Sequence, residues 1–198
     1  VLPAEPQQLR CFADEEGPIY SHAHTIGEAQ HGPFAGLIVE PKGSEFYDPY
    51  SGDPIVTGSQ AIIDPADGDP FREFCLHYND YPPLKDRDTG EYIVNNFEHN
   101  HNTGVTSINN RNEPYHYRDD EDAAYVHSSA VHGEPATPTL EAYSNDPIRI
   151  RLFLGSWEDQ HNFTLHGRPV ETQDLNPQDT VTQIISPGEA FTMFVDPE

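Results

Sequence analysis

The chain has 198 residues, of which 34 are acidic and 10 are basic, so its formal net charge is -24 at pH 7. A surface this negative repels phosphate backbones and anionic lipids, and we therefore expect neither nucleic acid nor a membrane surface as a partner. No apolar run approaches the roughly 20 residues that a membrane-spanning helix needs, so no membrane insertion is expected.

The hydrophobic content of 35% is low for a globular protein, but the 10 Phe and 10 Tyr residues argue against disorder. They predict a thin, aromatic core of the kind found in a sandwich. The only lysines are Lys42 and Lys85. An acidic, lysine-poor composition resembles that of proteins from extreme halophiles, whose charge repulsion is screened by salt.

Taken in chain order, apolar residues recur at strand-like spacing, and no long stretch keeps a helical period. Turn dipeptides such as Asp-Pro, Asn-Pro and Pro-Gly separate the later apolar segments, which is typical of an antiparallel sandwich. We therefore expect an all-β protein in which residues 36–40 form a fully buried strand. The predicted strands are residues 7–13, 18–24, 36–40, 60–64, 72–78, 139–143, 148–154, 162–165, 180–185 and 190–195.

Residues 41–58 are rich in Gly, Pro, Asp, Ser and Tyr, which is typical of a connection between two domains. A second polar segment, residues 86–90, has the sequence Asp-Arg-Asp-Thr-Gly and is faintly similar to a calcium-binding loop. Its glycine comes one place early and the distal glutamate is missing, so the pattern favours a simple turn.

The chain has two cysteines, Cys11 and Cys75. A disulfide between them would close a long loop and contribute about 4 kcal/mol to the free energy of unfolding. A free cysteine also packs well on a strand as a small apolar residue, and the sequence favours this second interpretation for Cys75.

Two pairs of histidines have a spacing that suits metal ligands. If residues 162–166 are extended, odd-numbered and even-numbered side chains point to opposite faces, so His161 and His166 serve different sides of one strand. His22 and His24, in contrast, share a face and can place two imidazoles beside one metal or a close metal pair. Neutral imidazole suits copper, zinc, iron or nickel.

Both histidine pairs lie in stretches that resemble multicopper oxidases of the laccase type. Tyr20-Ser-His-Ala-His-Thr-Ile-Gly, followed by the apolar strand Leu37-Ile38-Val39, is similar to the end of the family's first cupredoxin domain. His161-Asn-Phe-Thr-Leu-His-Gly is similar to the family's later motif His-Pro-x-His-x-His-Gly. Further similar phrases are Phe71-Arg-Glu-Phe, Asn109-Asn-Arg-Asn-Glu-Pro114 and Ser128-Ser-Ala-Val-His-Gly-Glu-Pro-Ala-Thr-Pro138.

The resemblance implies a role for each of the four histidines. His22 and His24 would be ligands of the type 3 copper pair in a trinuclear cluster, and His166 would join the same pair. His161 would be a ligand of the blue type 1 copper. Thr164 stands where the family places the histidine of the type 2 copper.

The resemblance also implies the fold and the domain organisation. We expect cupredoxin-like Greek-key β-sandwiches, with residues 1–45 as the carboxyl-terminal part of a first domain and 46–58 as a linker. Residues 59–198 would form most of a second domain, truncated at its carboxyl terminus. The family's early His-x-His pair and its His-Cys-His stretch are missing, so we expect the chain to be an interior piece of a longer protein.

The implied function is a multicopper oxidase that couples one-electron oxidation of a reducing substrate, a small molecule or a metal ion, to reduction of dioxygen to water. Type 1, type 2 and type 3 copper would be present in the intact enzyme. This chain would be inactive alone and would need the rest of the parent chain as its partner. The family implies an extracellular or cell-surface location. Two alternatives remain: a non-catalytic cupredoxin-like module with a degenerate copper site, or a nitrite reductase-like copper electron-transfer protein.

The remaining histidines match no ligand position of the family and are predicted to be surface residues or neighbours of ligands. They are His31, His77, His99, His101, His116, His127 and His132.

The charge of -24 predicts that stability depends on salt. As salt rises to molar concentrations the Debye length falls to about 3 Å, which screens the repulsion between carboxylates. We expect the thermal midpoint of unfolding to rise between dilute buffer and molar KCl. An unchanged midpoint would contradict the halophile interpretation.

Overall fold

The computed structural model of the chain describes residues 17–22, 34–81, 86–91, 106–109, 111, 113, 118, 122–126, 128–137, 139–155, 159–172, 179–180 and 182–195. For residues 17–22 and 179–180 the description covers the backbone alone.

These residues form twelve strands and almost no helix, which confirms the all-β prediction. The strands are β1 Gly17–His22, β2 Phe34–Val39, β3 Glu45–Tyr47, β4 Gln60–Asp64, β5 Phe71–Asp80, β6 Thr106–Ile108, β7 Ile148–Leu154, β8 His161–Phe163, β9 Val170–Thr172, β10 Asp179–Thr180, β11 Gln183–Ile185 and β12 Ala190–Val195. The described residues also include a 3₁₀ turn, Ala123–Tyr125, and a single helical turn, Ser129–His132.

Eight of the strands form one open, mixed sheet in the order β10-β9-β12-β7-β5-β4-β3, with β6 paired to the end of β5. All of its pairs are antiparallel except β5 with β7, which run parallel from Arg72 opposite Ile148 to Tyr78 opposite Leu154. Tyr78 also pairs with Ile108, so β6 lies on the side of β5 that β4 occupies. Two further sheets have two strands each, β1 with β2 and β8 with β11.

One side of the large sheet, the apolar face, carries the main core. Alternation along β5 and β7 directs Phe74, Leu76 and their neighbours to this side, where they are less than 5% exposed. The pair β8–β11 covers it, because Ile185 is fully buried and Phe163 packs against the same cluster. The buried members are Phe74, Leu76, Ile150, Leu152, Leu154, Val170, Ile185, Met193 and Val195. Burying each such side chain stabilises the fold by about 1.5–3 kcal/mol.

The opposite side, the charged face, carries Glu73, Arg149 and Arg151, and the hairpin of β1 and β2 packs on it. A Cβ atom added at Gly36 of β2 would lie 2.6 Å from Cζ of Phe153, and one added at Gly155 would lie 2.5 Å from the ring of Phe34. The backbone of β2 and the end of β7 therefore approach each other too closely for larger residues.

Three strand predictions were wrong. Residues 36–40 are not a fully buried strand: β2 begins earlier, and Leu37 is 53% exposed because only one side of the hairpin meets the sheet. Residues 139–143 form no strand, since their polar groups lie along an exposed irregular segment. Residues 180–185 are not one strand, because Thr180 belongs to β10 and Gln183–Ile185 to β11, and these lie in different sheets.

Other predictions are confirmed. Strands at residues 60–64, 148–154 and 190–195 match β4, β7 and β12. Residues 86–90 form the predicted turn, in which Asp86 Oδ1 accepts hydrogen bonds from the backbone N–H groups of Asp88 and Thr89. The strand predicted at 7–13 lies outside the described residues. The 46–58 segment contributes Phe46 and Tyr47 to β3, and the division into domains stays a prediction.

Substitution of Gly36 by alanine tests the close packing of the hairpin on the sheet. Phe153 is fully buried and cannot move away from the added methyl group, so we expect a loss of about 1–3 kcal/mol in the free energy of unfolding. Leu37→Ala is the matched control, because this neighbour is 53% exposed and its loss should cost much less. Equal effects in denaturant titrations at molar salt would contradict the packing described.

Candidate functional site

His161 and His166 lie on opposite sides of the segment that includes β8, as the alternation predicted. His161 and Phe163 are half-buried toward the apolar face, whereas Asn162 between them is exposed. The alternation continues past the end of β8: Leu165 is half-buried and His166 is exposed at the turn before β9. Hydrophobic burial of the odd-numbered residues is the force that sets this orientation.

A buried carboxylate lies beside His161. The Nε2 atom of His161 is 3.5 Å from Oδ2 of Asp80, whose side chain is fully buried. The same oxygen accepts a hydrogen bond of 3.0 Å from the backbone N–H of Asp159. The ring of Tyr78 lies 5.9 Å from the imidazole, and burial raises the pKa of its phenol to about 12. His161 therefore lies between the carboxyl group of Asp80 and the ring of Tyr78.

The backbone around Asp80 is held in an unusual conformation. Tyr81 has φ of 47°, in the left-handed region that a bulky residue rarely adopts. Its hydroxyl donates a hydrogen bond to the carboxylate of Asp159. The contact ties the end of β5 to the residues just before β8, and so it fixes the position of Asp80 relative to His161.

His22 is the last residue of β1, and only its backbone is described. Its Cα is paired with that of Phe34, whose ring approaches Gly155 beyond the end of β7. The end of β1 thus lies at the same end of the large sheet as His161, but on the charged face instead of the apolar face. The side chain of His22 and all of His24 lie outside the described residues.

Thr164 is exposed on the same side as His166. Its Oγ1 is 2.9 Å from Oγ1 of Thr182, so the two hydroxyls share a hydrogen bond. Thr164, which the sequence resemblance places at the type 2 copper position, therefore already has a protein partner.

Cys75 is a free, buried thiol on the charged face. Burial, and next the negative charge of Glu73, raise the pKa of the Cys75 thiol well above its usual range. A thiol that stays protonated is a poor metal ligand. Because His161 lies under the apolar face, Cys75 and His161 are separated by the sheet itself. Cys11 lies outside the described residues.

His77 was predicted to be either a surface residue or a neighbour of ligands, and the first alternative is wrong. It is half-buried, its ring stacks on Phe153 with centroids 4.6 Å apart, and burial lowers its pKa. His132 is half-buried in the single helical turn. His31, His99, His101, His116 and His127 lie outside the described residues.

Within the described part of the chain, no group of three or more His, Cys, Asp or Glu side chains is arranged to hold a metal ion. His161 fits a metal site as a single imidazole ligand with Asp80 behind it. Asp80 was missed in the sequence because it was placed beyond the strand predicted at 72–78. Had the predicted strand been extended by two residues, the alternation would have placed the Asp80 side chain on the same face as Tyr78, the apolar face.

No protein-family model matches the chain, and no curated protein matches it. Among the described residues there is also no helix with the length and apolar character to cross a membrane.

The position of Cys75 leads to a spectroscopic prediction. An intense blue absorption of Cu(II) requires a cysteine thiolate ligand, and Cys75 is protonated and lies on the other side of the sheet from His161. We expect this chain, loaded with Cu(II), to show no such band. Cys75→Ser should leave the spectrum unchanged. A blue band in the wild type would contradict the prediction, and its loss or retention in Cys75→Ser would identify Cys75 or Cys11 as the thiolate ligand.

Proposed function

We propose that the chain is part of a copper-dependent oxidoreductase of the multicopper oxidase type, with cupredoxin-like Greek-key sandwiches. The sequence resemblance suggests this function, and the all-β fold is consistent with it. The single observation that carries the proposal furthest is the environment of His161: an imidazole that is 20% exposed, next to a fully buried carboxylate.

A carboxylate behind an imidazole is the usual arrangement for a histidine that ligates a metal. It fixes the orientation and tautomer of the ring and raises its basicity as a ligand. Here Asp80 approaches Nε2 of His161, which leaves Nδ1 as the nitrogen for a metal. Phe163 and Leu165, which pack against the core beside His161, limit the access of water to the imidazole from the side of the apolar face.

Copper held there would supply one-electron transfer from a reducing substrate, and the intact enzyme would pass the electrons to dioxygen. The role of this chain's residues is binding and orientation. His161 would bind the type 1 copper, and Asp80 would orient it. The resemblance would assign His166 and the His22–His24 pair to the type 3 coppers. Because β1 ends at His22 on the charged face and His166 points outward beyond the apolar face, the large sheet lies between them. Each would therefore bind its copper together with ligands from the rest of the parent chain.

A second candidate is a non-catalytic cupredoxin-like module. The contact between Thr164 and Thr182 favours it, because a hydroxyl held by another hydroxyl is a weak substitute for an imidazole. The nitrite reductase-like electron carrier, which would share the same fold, has no observation of its own in its favour.

Copper analysis of the intact parent protein separates oxidase from module. We expect bound copper and oxygen uptake with a reducing substrate in the wild type. His161→Gln should remove the type 1 copper and, with it, oxygen uptake. Asp80→Asn should lower the affinity for this copper roughly 10–100-fold while keeping the shape of the side chain.

Matched controls are His132→Gln and Asp67→Asn, an exposed acid on a loop. Both should retain wild-type copper content. A wild-type protein with neither bound copper nor oxygen uptake would contradict the oxidase and favour the non-catalytic cupredoxin-like module. Copper content unaffected by His161→Gln would remove His161 from the site.

A further inference from the structure

A cleft of about 640 Å³ opens on the charged-face side of the sheet, away from His161. It lies between the start of β2, the loop before β4, the end of β5 and the irregular residues 135–137 and 139–141. Its volume is within the range of about 300–1,000 Å³ typical of small-molecule sites. Its lining includes Phe34, Tyr50, Ser59, His77, Arg111 and Glu141.

The floor of the cleft is rigid. The ring of His77 rests on the fully buried Phe153. Asn109 fastens this floor to β5, because its Oδ1 accepts a hydrogen bond of 2.8 Å from the backbone N–H of His77. Its Nδ2 donates another, of 3.0 Å, to the carbonyl oxygen of Cys75. A preformed floor lowers the entropic cost of binding a ligand.

Two buried polar atoms on residues that line the cleft have no hydrogen-bond partner within the described residues: Nδ1 of His77 and Oε1 of Gln60. Buried polar atoms without partners are rare in native proteins and indicate a missing water or ligand. An amide oxygen only accepts a hydrogen bond, whereas a neutral imidazole nitrogen donates or accepts. A hydroxyl group can satisfy both kinds of partner.

The walls combine aromatic rings with side chains of both charges. Tyr50 is 69% exposed, and Phe34 lines the same cleft. Arg111 is anchored by two backbone hydrogen bonds to Ile108, while its guanidinium has no ion pair within the described part of the chain. Glu141 is exposed and lines the cleft as well.

This combination distinguishes between classes of ligand. An anion would be attracted by Arg111 but repelled by Glu141 and by the net charge of -24. A flat apolar molecule would leave the guanidinium, the carboxylate and Ser59 without partners. A neutral molecule with several hydroxyls donates to Glu141, accepts from Arg111 and lays an apolar C–H surface on an aromatic ring.

We propose that this cleft binds a neutral saccharide of mono- or disaccharide size, with Tyr50 as the stacking ring and Arg111 as the principal hydrogen-bond donor. The proposal is independent of His161 and Asp80, which lie under the apolar face.

The test is a titration of the full chain in molar KCl with glucose and cellobiose, followed by saturation-transfer NMR and calorimetry. We expect both sugars to bind. Tyr50→Ala and Arg111→Ala should each weaken binding roughly tenfold, the loss expected for a stacking contact or a charged hydrogen bond. Both residues are exposed, so the thermal midpoint should not change.

Tyr125→Ala and Arg87→Ala are matched controls, because these exposed residues do not line the cleft. Both should bind sugar as the wild type does. Phenol and benzoate serve as competing probes, one apolar and one anionic. Absence of sugar binding, binding that is unaffected by both cleft substitutions, or binding of phenol or benzoate in place of the sugars would each overturn the proposal.

Discussion

The buried guanidinium of Arg151 is the interaction on which the arrangement of the strands depends. It is 1% exposed and donates to Glu73 of β5, to Glu40 beyond β2 and to Thr192 of β12. One side chain on β7 therefore joins three other parts of the chain. Removing one partner of a buried ion pair commonly costs about 3–5 kcal/mol, because the remaining charge stays buried.

The same interaction determines where the hairpin of β1 and β2 sits on the charged face. Glu40 also contacts Arg149, whose guanidinium lies 3.6 Å from the ring centroid of Phe71. A shift of β7 by one residue would turn Arg149 and Arg151 toward the apolar core. Strand register, the position of the hairpin and the floor of the cleft are thus linked through a few charged groups.

Much of the fold could be predicted from local pattern. β4, β7 and β12 match the predicted strands because each alternates or is continuously apolar between clear turn signals. The short strands β3, β6 and β9 were missed, since three residues carry too little periodicity to distinguish a strand from a loop. The exposure of Leu37 was missed because an apolar run does not reveal that only one of its faces will be covered.

The candidate site was less predictable than the fold. The opposite orientations of His161 and His166 follow from sequence alternation alone, and the structure confirms them. The proximity of Asp80 to His161 could not be predicted from the sequence, because 81 residues separate them and only the assembled sheet brings them together. Likewise, arginines that alternate with apolar residues in β7 suggest an exposed face, yet Arg151 is covered by a hairpin from far upstream.

The parallel pairing of β5 with β7 has a consequence for the rate of folding. Arg72 pairs with Ile148, which is 148 - 72 = 76 residues further along the chain. The chain must form a loop of this length before β5 and β7 can pair at the centre of the sheet. Loop-closure entropy must be overcome before such distant contacts stabilise the structure, and proteins dominated by them fold slowly. The hairpins β3–β4 and β1–β2 can form early from local contacts. The central sheet, the cleft and the surroundings of His161 form only when this long loop closes.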